Sequence, residues 1–168
     1  MDVNYINPFI ESVVHVFKTA LGCDIQRKNL YLKDTAVPSH EVSGIIGLSG
    51  NASGVVVLSV SRQIAFQVVK TMLDMEAHEL NADVVDAVGE LTNMVAGAAK
   101  AQLAQYEMSL GLPSVVAGRN HCVSFPSNVK PICLVFDTPW GAMTLEVGLD
   151  LSECGAASRY AQPAAAAS

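Results

Sequence analysis

The segment 86–97, DAVGELTNMVAG, contains a carboxylate and an amide whose spacing would let them act together. Glu90 and Asn93 stand at positions i and i+3, so on a helix their side chains are neighbours on one face. A carboxamide donates and accepts hydrogen bonds without carrying charge, and a carboxylate can pair with a cation. We therefore treat Glu90 and Asn93 as a candidate functional pair.

The helix face around this pair carries polar side chains at one end and residues with little or no side chain at the other. At about 100° per residue, Asp86 and Gly97 fall within roughly 60° of Glu90, on the same stripe as Asn93. Gly89 and Gly97 each cost a helix up to about 1 kcal/mol relative to Ala, and helices often accept that cost where another backbone comes close. A solvated helix face is the alternative interpretation of this stripe.

The opposite face of the same helix is apolar and is predicted to pack against a core. Its apolar positions are Val84, Val85, Val88, Leu91, Val95, Ala99, Leu103 and Tyr106. Thr92 falls on this side as well. Asn81 suits the N-cap position, and the helix is predicted to span about 82–109 and to end near Gly111.

Two further helices are predicted from capping residues and from apolar residues at helical spacing. Asn7 and Pro8 suit the start of the first helix, and Gly22 ends the apolar run. Ser61 suits the cap of the second helix, over 62–73.

Six strands are predicted around these helices, at about 24–32, 42–48, 55–60, 115–124, 132–137 and 142–149. In each half of the chain a helix is followed by three strands, and the helix at 62–73 links the halves. This order predicts an internally duplicated α+β domain, with helices packed on a mostly antiparallel β-sheet. The domain is predicted to cover 1–153, and the Ala-rich tail 154–168 is predicted to be disordered.

Composition and charge restrict the class of protein. The chain has 168 residues, of which 51% are hydrophobic and 15% charged, as expected for one globular domain. The formal net charge of −6 disfavours nucleic acid as a partner, because phosphate binding favours a basic patch. No apolar run reaches the roughly 18 residues that span a membrane, and the first residues do not read as a signal peptide. We therefore expect a cytoplasmic protein with no membrane or nucleic-acid partner.

Other kinds of site have little support in the sequence. The four cysteines form no C-x-x-C pair and are predicted to be reduced, without a disulfide frame or zinc site. The histidines are scattered, so no metal site is expected. The Gly-rich stretch GLSGNASG matches neither a phosphate-binding loop nor G-x-S-x-G and is predicted to form a hairpin. No serine or cysteine nucleophile motif stands out.

The segment 86–97 resembles the D-x3-E-x2-N motif of the CheC/CheX family of bacterial chemotaxis phosphatases. INPFIESVVHVFKTALG is similar to the first helix of that family, and SGNASGVVVLSVSRQIAFQVVKTML to its hairpin and second helix. LPSVVAGR resembles the segment after the catalytic helix, so the resemblance covers about 5–150. The chain has one E-x2-N motif, because the first helix carries Glu11 followed by Val14 in place of the amide. Thr92 stands where the family often has Gly, and little effect on chemistry is expected.

The resemblance implies a phosphatase that hydrolyses the phospho-aspartate of a CheY-type response regulator. Asn93 would position the attacking water, and Glu90 would pair with the regulator's active-site lysine. Asp86, Gly89 and Gly97 would contact this partner, with the small residues letting its loops approach. Mg²⁺ would sit in the regulator's own acidic pocket, so no cofactor or metal is expected in this chain.

The resemblance also implies a homodimer formed by sheet pairing between subunits. The apolar stretches VSGIIGLS and PICLVFDT are the candidate strands for that pairing. Two alternative functions are a non-catalytic adaptor that binds response regulators, as in the flagellar switch, and a purely structural oligomerisation domain. The intact pair of Glu90 and Asn93 favours an enzyme.

Overall fold

The computed structural model describes residues 5–151, which form three α-helices and a seven-stranded sheet. The helices are α1 (Ile6–Leu21), α2 (Arg62–Leu73) and α3 (Ala82–Gln102). The strands are β1 (Gln26–Leu32), β2 (Val42–Ser49), β3 (Ser53–Val60), β4 (Ser109–Leu110), β5 (Ser114–Ala117), β6 (Ile132–Thr138) and β7 (Gly141–Asp150). The tail 154–168, for which disorder is predicted, lies outside the described residues. No helix within 5–151 is long and apolar enough to cross a membrane.

The order of the strands confirms the predicted duplication. The sheet runs β1-β6-β7-β3-β2, and both β4 and β5 pair with the far side of β2. All pairs are antiparallel. The first strand of each half pairs with the second strand of the other half, and the two third strands, β3 and β7, meet at the centre. The halves are thus related by a pseudo-two-fold arrangement, and the α+β class with a mostly antiparallel sheet is confirmed.

The three helices share one hydrophobic core with one face of the sheet. Along β7, Met143, Leu145 and Val147 belong to this core, whereas Thr144 and Glu146 alternate with them and point to the other face. That second face is also covered, because Glu146 is buried there and the side chains of Phe125 and Val129 pack on Gly148. The sheet is therefore buried on both sides near its centre.

The capping predictions hold for two helices and fail for the first. Ser61 accepts a hydrogen bond from the amide of Ile64 at 3.2 Å, and Asn81 accepts one from Val84 at 3.1 Å. For α1, the capping residue is Tyr5 rather than the predicted Asn7, and it makes no side-chain cap. The proline of this segment lies in the first turn, where its missing N–H has no helical partner to lose.

Two predicted elements end earlier than expected. The helix α3 stops at Gln102 rather than near 109, and Glu107 then takes a left-handed conformation with φ of 44°. This turn packs tightly on the β2–β3 hairpin, since a Cβ on Gly50 would lie 2.5 Å from the carbonyl oxygen of Glu107. Strand β5 ends at Ala117 rather than 124, because Gly118 follows with φ of 136°. Tertiary packing and glycine geometry thus override local propensity.

The strands predicted for pairing between subunits are not at the edges of the sheet. VSGIIGLS forms β2, which has β3 on one side and β4 and β5 on the other. PICLVFDT contains β6, which lies between β1 and β7. The choice of these two strands is therefore wrong: they are apolar because they are interior. The free edges within residues 5–151 are those of β1 and of β4 and β5.

Candidate active site

The rotation of α3 is fixed by a close contact between the helix and the sheet. Thr92 is fully buried, and its hydroxyl donates a hydrogen bond to the carbonyl of Val88 at 2.7 Å. It lies on Gly44 of β2, where an added Cβ would come 1.9 Å from Thr92 Oγ1. The prediction that Thr92 faces the core is confirmed. At about 100° per residue, Glu90 lies about 160° and Asn93 about 100° around the helix from Thr92, so the contact turns both side chains away from β2.

The structure brings the candidate pair to the surface of one continuous helix. Glu90 and Asp86 are exposed, and Asn93 is half-buried. Within residues 5–151, none of these three side chains has a hydrogen-bond or ion-pair partner. Their polar groups are therefore available to a second molecule rather than used in the fold.

The two glycines of the stripe accommodate a segment of the same chain. A Cβ on Gly89 would lie 3.4 Å from Val115 Cγ2 and 3.9 Å from Pro113 Cβ. A Cβ on Gly97 would lie 3.8 Å from Leu110 Cδ1. Side chains of this chain's own segment 110–115 therefore pack on both glycines, and contact of Gly89 and Gly97 with a partner stays a prediction. Gly89 is buried and offers a partner almost no surface, whereas Gly97 is half-buried.

The segment 110–115 also carries a residue that sequence reasoning missed. Leu112 is 91% exposed, next to the helix that holds the candidate pair. A signal was present in the sequence: an apolar residue between Gly111 and Pro113 is expected in a turn at the surface, because Gly and Pro favour turns.

The counterpart of α3 in the first half of the chain does not repeat the pair. In α1, Glu11 is exposed, but Val14 occupies the position of the amide and is 37% exposed. No group of three or more His, Cys, Asp and Glu residues in the described part of the chain could hold a metal ion. The candidate arrangement is thus a carboxylate and a carboxamide on one exposed face of α3.

A projecting pair of this kind is suited to enter a site on another molecule. Glu90 is exposed on the surface of α3, so it cannot by itself enclose a small substrate. A carboxamide can orient a water molecule, and the neighbouring carboxylate can neutralise a cation. The arrangement therefore fits a reaction in which the reacting group is buried in a macromolecular partner.

Comparison with known proteins agrees with the resemblance. A family model described as chemotaxis phosphatase CheX matches residues 42–137, more than half of the chain. CheY-P phosphatase CheX from Thermotoga maritima is 32% identical over 124 residues, which cover 71% of this chain and 79% of that protein.

Solved structures share the fold over most of the chain. A CheC-like superfamily protein from Shewanella sp. PV-4 has a TM-score of 0.82 and 31% identity, covering 89% of this chain and 99% of that chain. A structure of a CheX–CheY–BeF3–Mg²⁺ complex from Borrelia burgdorferi matches with a TM-score of 0.75 and 20% identity. That match covers 88% of this chain and 98% of that chain, and at this identity it shows the fold alone. By its family-model match and its relative from Thermotoga, the chain belongs to the chemotaxis phosphatase CheX family.

Proposed function

We propose that this protein is a phosphatase that hydrolyses the phospho-aspartate of a CheY-type response regulator. The observation that carries the proposal is the pair of Glu90 and Asn93, which projects from α3 with both side chains unpartnered within residues 5–151. Family membership supports an enzyme, and the Thermotoga relative is named a CheY-P phosphatase.

Asn93 is proposed to position the water. The water oxygen attacks phosphorus, the bond between phosphorus and the aspartate oxygen breaks, and the products are a free carboxylate and inorganic phosphate. Such a transfer is catalysed mostly by positioning and electrostatics, since an acyl phosphate is already activated. An amide suits the inner position because a second carboxylate there would repel the phosphoryl oxygens.

Glu90 is proposed to form an ion pair with the lysine of the regulator's active site, one helical turn from Asn93. Asp86, exposed on the same stripe, adds a second negative charge towards the partner. Mg²⁺ is assigned to the regulator, and the Borrelia structure contains Mg²⁺ and BeF3 together with CheX and CheY. A cytoplasmic location belongs to this proposal, because response regulators act there.

The test is phosphate release from a CheY-type regulator loaded with an acyl phosphate in the presence of Mg²⁺, with and without this protein. We expect faster release with the protein present. Binding of the phosphorylated regulator without faster release would show that the protein is a non-catalytic adaptor instead of an enzyme. If the protein neither binds nor accelerates release from any of several regulators, the face of α3 with Glu90 and Asn93 is a solvated surface without this function.

We also propose a homodimer that pairs the sheets of two subunits through β1. This seven-residue strand is a free edge of the sheet within residues 5–151. It carries Tyr31 and Leu32, which are 41% and 40% exposed. A long edge strand with exposed apolar residues favours pairing with another strand, and two copies can pair antiparallel about a two-fold axis.

A further inference from the structure

The segment 110–115 runs along the surface of α3, and the middle of the segment lies level with Asn93. Leu110 lies against Gly97, and Pro113 lies against Gly89 at the other end. Asn93 stands midway between these glycines along the helix. The chain between the two contacts, which includes Leu112, therefore passes the level of the half-buried Asn93.

Leu112 is far more exposed than any other large apolar residue in the described part of the chain. Its exposed fraction is 91%, against 56% for Val37 and 37–46% for the other six exposed large apolar residues. A leucine held in water is unfavourable by itself, and burial against a partner would relieve that cost.

The loop around Leu112 is held in place rather than free to fold its side chain back. The amide of Gly111 donates a hydrogen bond to the carbonyl of Gly47 at 2.8 Å. Pro113 fixes its own backbone φ angle and packs on the helix. A side chain presented on a fixed backbone loses less conformational entropy when it binds.

We propose that Leu112 is an apolar docking residue that inserts into the receiver domain of the response regulator, beside its phospho-aspartate. This inference rests on the proposed function, and it is argued from the continuity of Leu112 with the candidate pair. The matching surface on the partner has a cation facing Glu90 and Asp86, and an apolar recess on the other side of the phosphoryl group. Leu112 thereby contributes to recognition, while Asn93 carries the chemistry.

The proposal separates binding from turnover in kinetics. Leu112 lies outside the pair that faces the phosphoryl group, so its contacts are the same before and during the reaction. Loss of such uniform binding raises KM and leaves kcat unchanged. Leu112→Ala is expected to raise KM for the phosphorylated regulator by about 10-fold, given the apolar area of a leucine.

The experiment compares Leu112→Ala, Leu112→Asp and Leu112→Met in steady-state phosphate release, with regulator concentration varied. Leu73→Ala is the matched control, because Leu73 is 44% exposed at the end of α2. We expect KM to rise for Ala and more for Asp, to return close to wild type for Met, and to stay unchanged for Leu73→Ala. Unchanged KM in Leu112→Asp with an active wild type would overturn the docking role and leave the proposed function intact.

Two further readouts complete the test. Binding of each variant to a regulator loaded with BeF3 is measured directly, and it should weaken for Leu112→Ala and Leu112→Asp, a result that does not depend on turnover. Light scattering reports the oligomeric state. A change of oligomeric state in Leu112→Asp without a change in regulator binding would show that Leu112 covers a contact between copies of this chain, which would also overturn the proposal.

Discussion

The hydroxyl of Thr92 fills the space that a side chain on Gly44 would need, since a Cβ there would lie 1.9 Å from Thr92 Oγ1. Thr92 directly precedes Asn93 in α3, and Gly44 lies within β2. A contact in the core thus sets the direction in which the amide of Asn93 points. Stability and activity should therefore respond together when this contact is changed.

Gly44→Ala is expected to lower the free energy of unfolding by about 1–3 kcal/mol, because the added methyl group overlaps the Thr92 side chain. Phosphatase activity should fall with it, as α3 must shift away from β2. The double variant Gly44→Ala/Thr92→Ala should recover part of both losses, because the overlap is removed. Urea unfolding and phosphate release measure the two effects. An equal cost of Gly44→Ala with and without Thr92 would show that the two residues are not coupled.

Glu90→Lys is expected to weaken binding of the phosphorylated regulator at least several-fold, because it places a cation where the partner presents one. The loss should be larger at low ionic strength, since salt screens the repulsion between exposed charges. Glu11→Lys on α1 makes the same charge change at an exposed position that lacks the neighbouring amide, and should bind normally. Equal affinities of the regulator for Glu90→Lys and for wild type would contradict the proposed ion pair.

Lys33 and Glu146 form an ion pair inside the protein, with side chains 6% and 2% exposed. Lys33→Met leaves the carboxylate buried without its cation and should cost about 3–5 kcal/mol of stability at neutral pH. The double variant Lys33→Met/Glu146→Gln should cost less, because no charge stays buried. Urea unfolding of the single and double variants measures the difference, and a double variant as unstable as Lys33→Met would contradict it.

The cost of Lys33→Met should also depend on pH. Burial raises the pKa of Glu146, and the hydrogen bond and charge of Lys33 oppose that rise. Without Lys33, the pKa of Glu146 in the folded protein moves further above its unfolded value of about 4.3. The protonated carboxyl then favours the folded state below that pH, and this contribution to stability is lost as pH rises. The destabilisation should therefore be smaller near about pH 4 than near pH 7. A cost that is independent of pH would show that the carboxyl does not titrate in this way.

Leu32→Lys is expected to weaken a homodimer formed through β1, because a charge on an edge strand opposes pairing with a second strand. Leu32 is 40% exposed, so the monomer fold should tolerate the change. Leu73→Lys on α2 is the control for a charge placed at a similarly exposed leucine. Light scattering over a range of concentrations should show more monomer for Leu32→Lys alone. If Leu32→Lys leaves the dimer unchanged, the interface is not formed by β1.

The sequence was sufficient to predict features that depend on local rules. The caps at Ser61 and Asn81 hold because a side-chain acceptor and a free helical amide are neighbours in the chain. The position of Thr92 on the core side follows from helical periodicity alone. The pair on α3 follows from the same periodicity.

Features that depend on contacts between distant residues could not be predicted. Helix α3 ends early because the turn at Glu107 packs on Gly50 of a hairpin far away in sequence. The close partner of Gly89 is Val115 of the same chain, which no local pattern indicates. The apolar strands suggested for dimer contacts are interior for a similar reason: apolar composition indicates burial but not which neighbour causes it.

The central claim is that Asn93 performs the chemistry that the fold presents on α3. The most direct measurement is single-turnover phosphate release from a phosphorylated CheY-type regulator with wild type, Asn93→Ala and the exposed control Asn7→Ala, each also tested for binding to the BeF3-loaded regulator. Wild type and Asn7→Ala should accelerate release, and Asn93→Ala should bind and fold normally but lose about 10²-fold or more in rate. Acceleration by Asn93→Ala equal to that by wild type would contradict the mechanism.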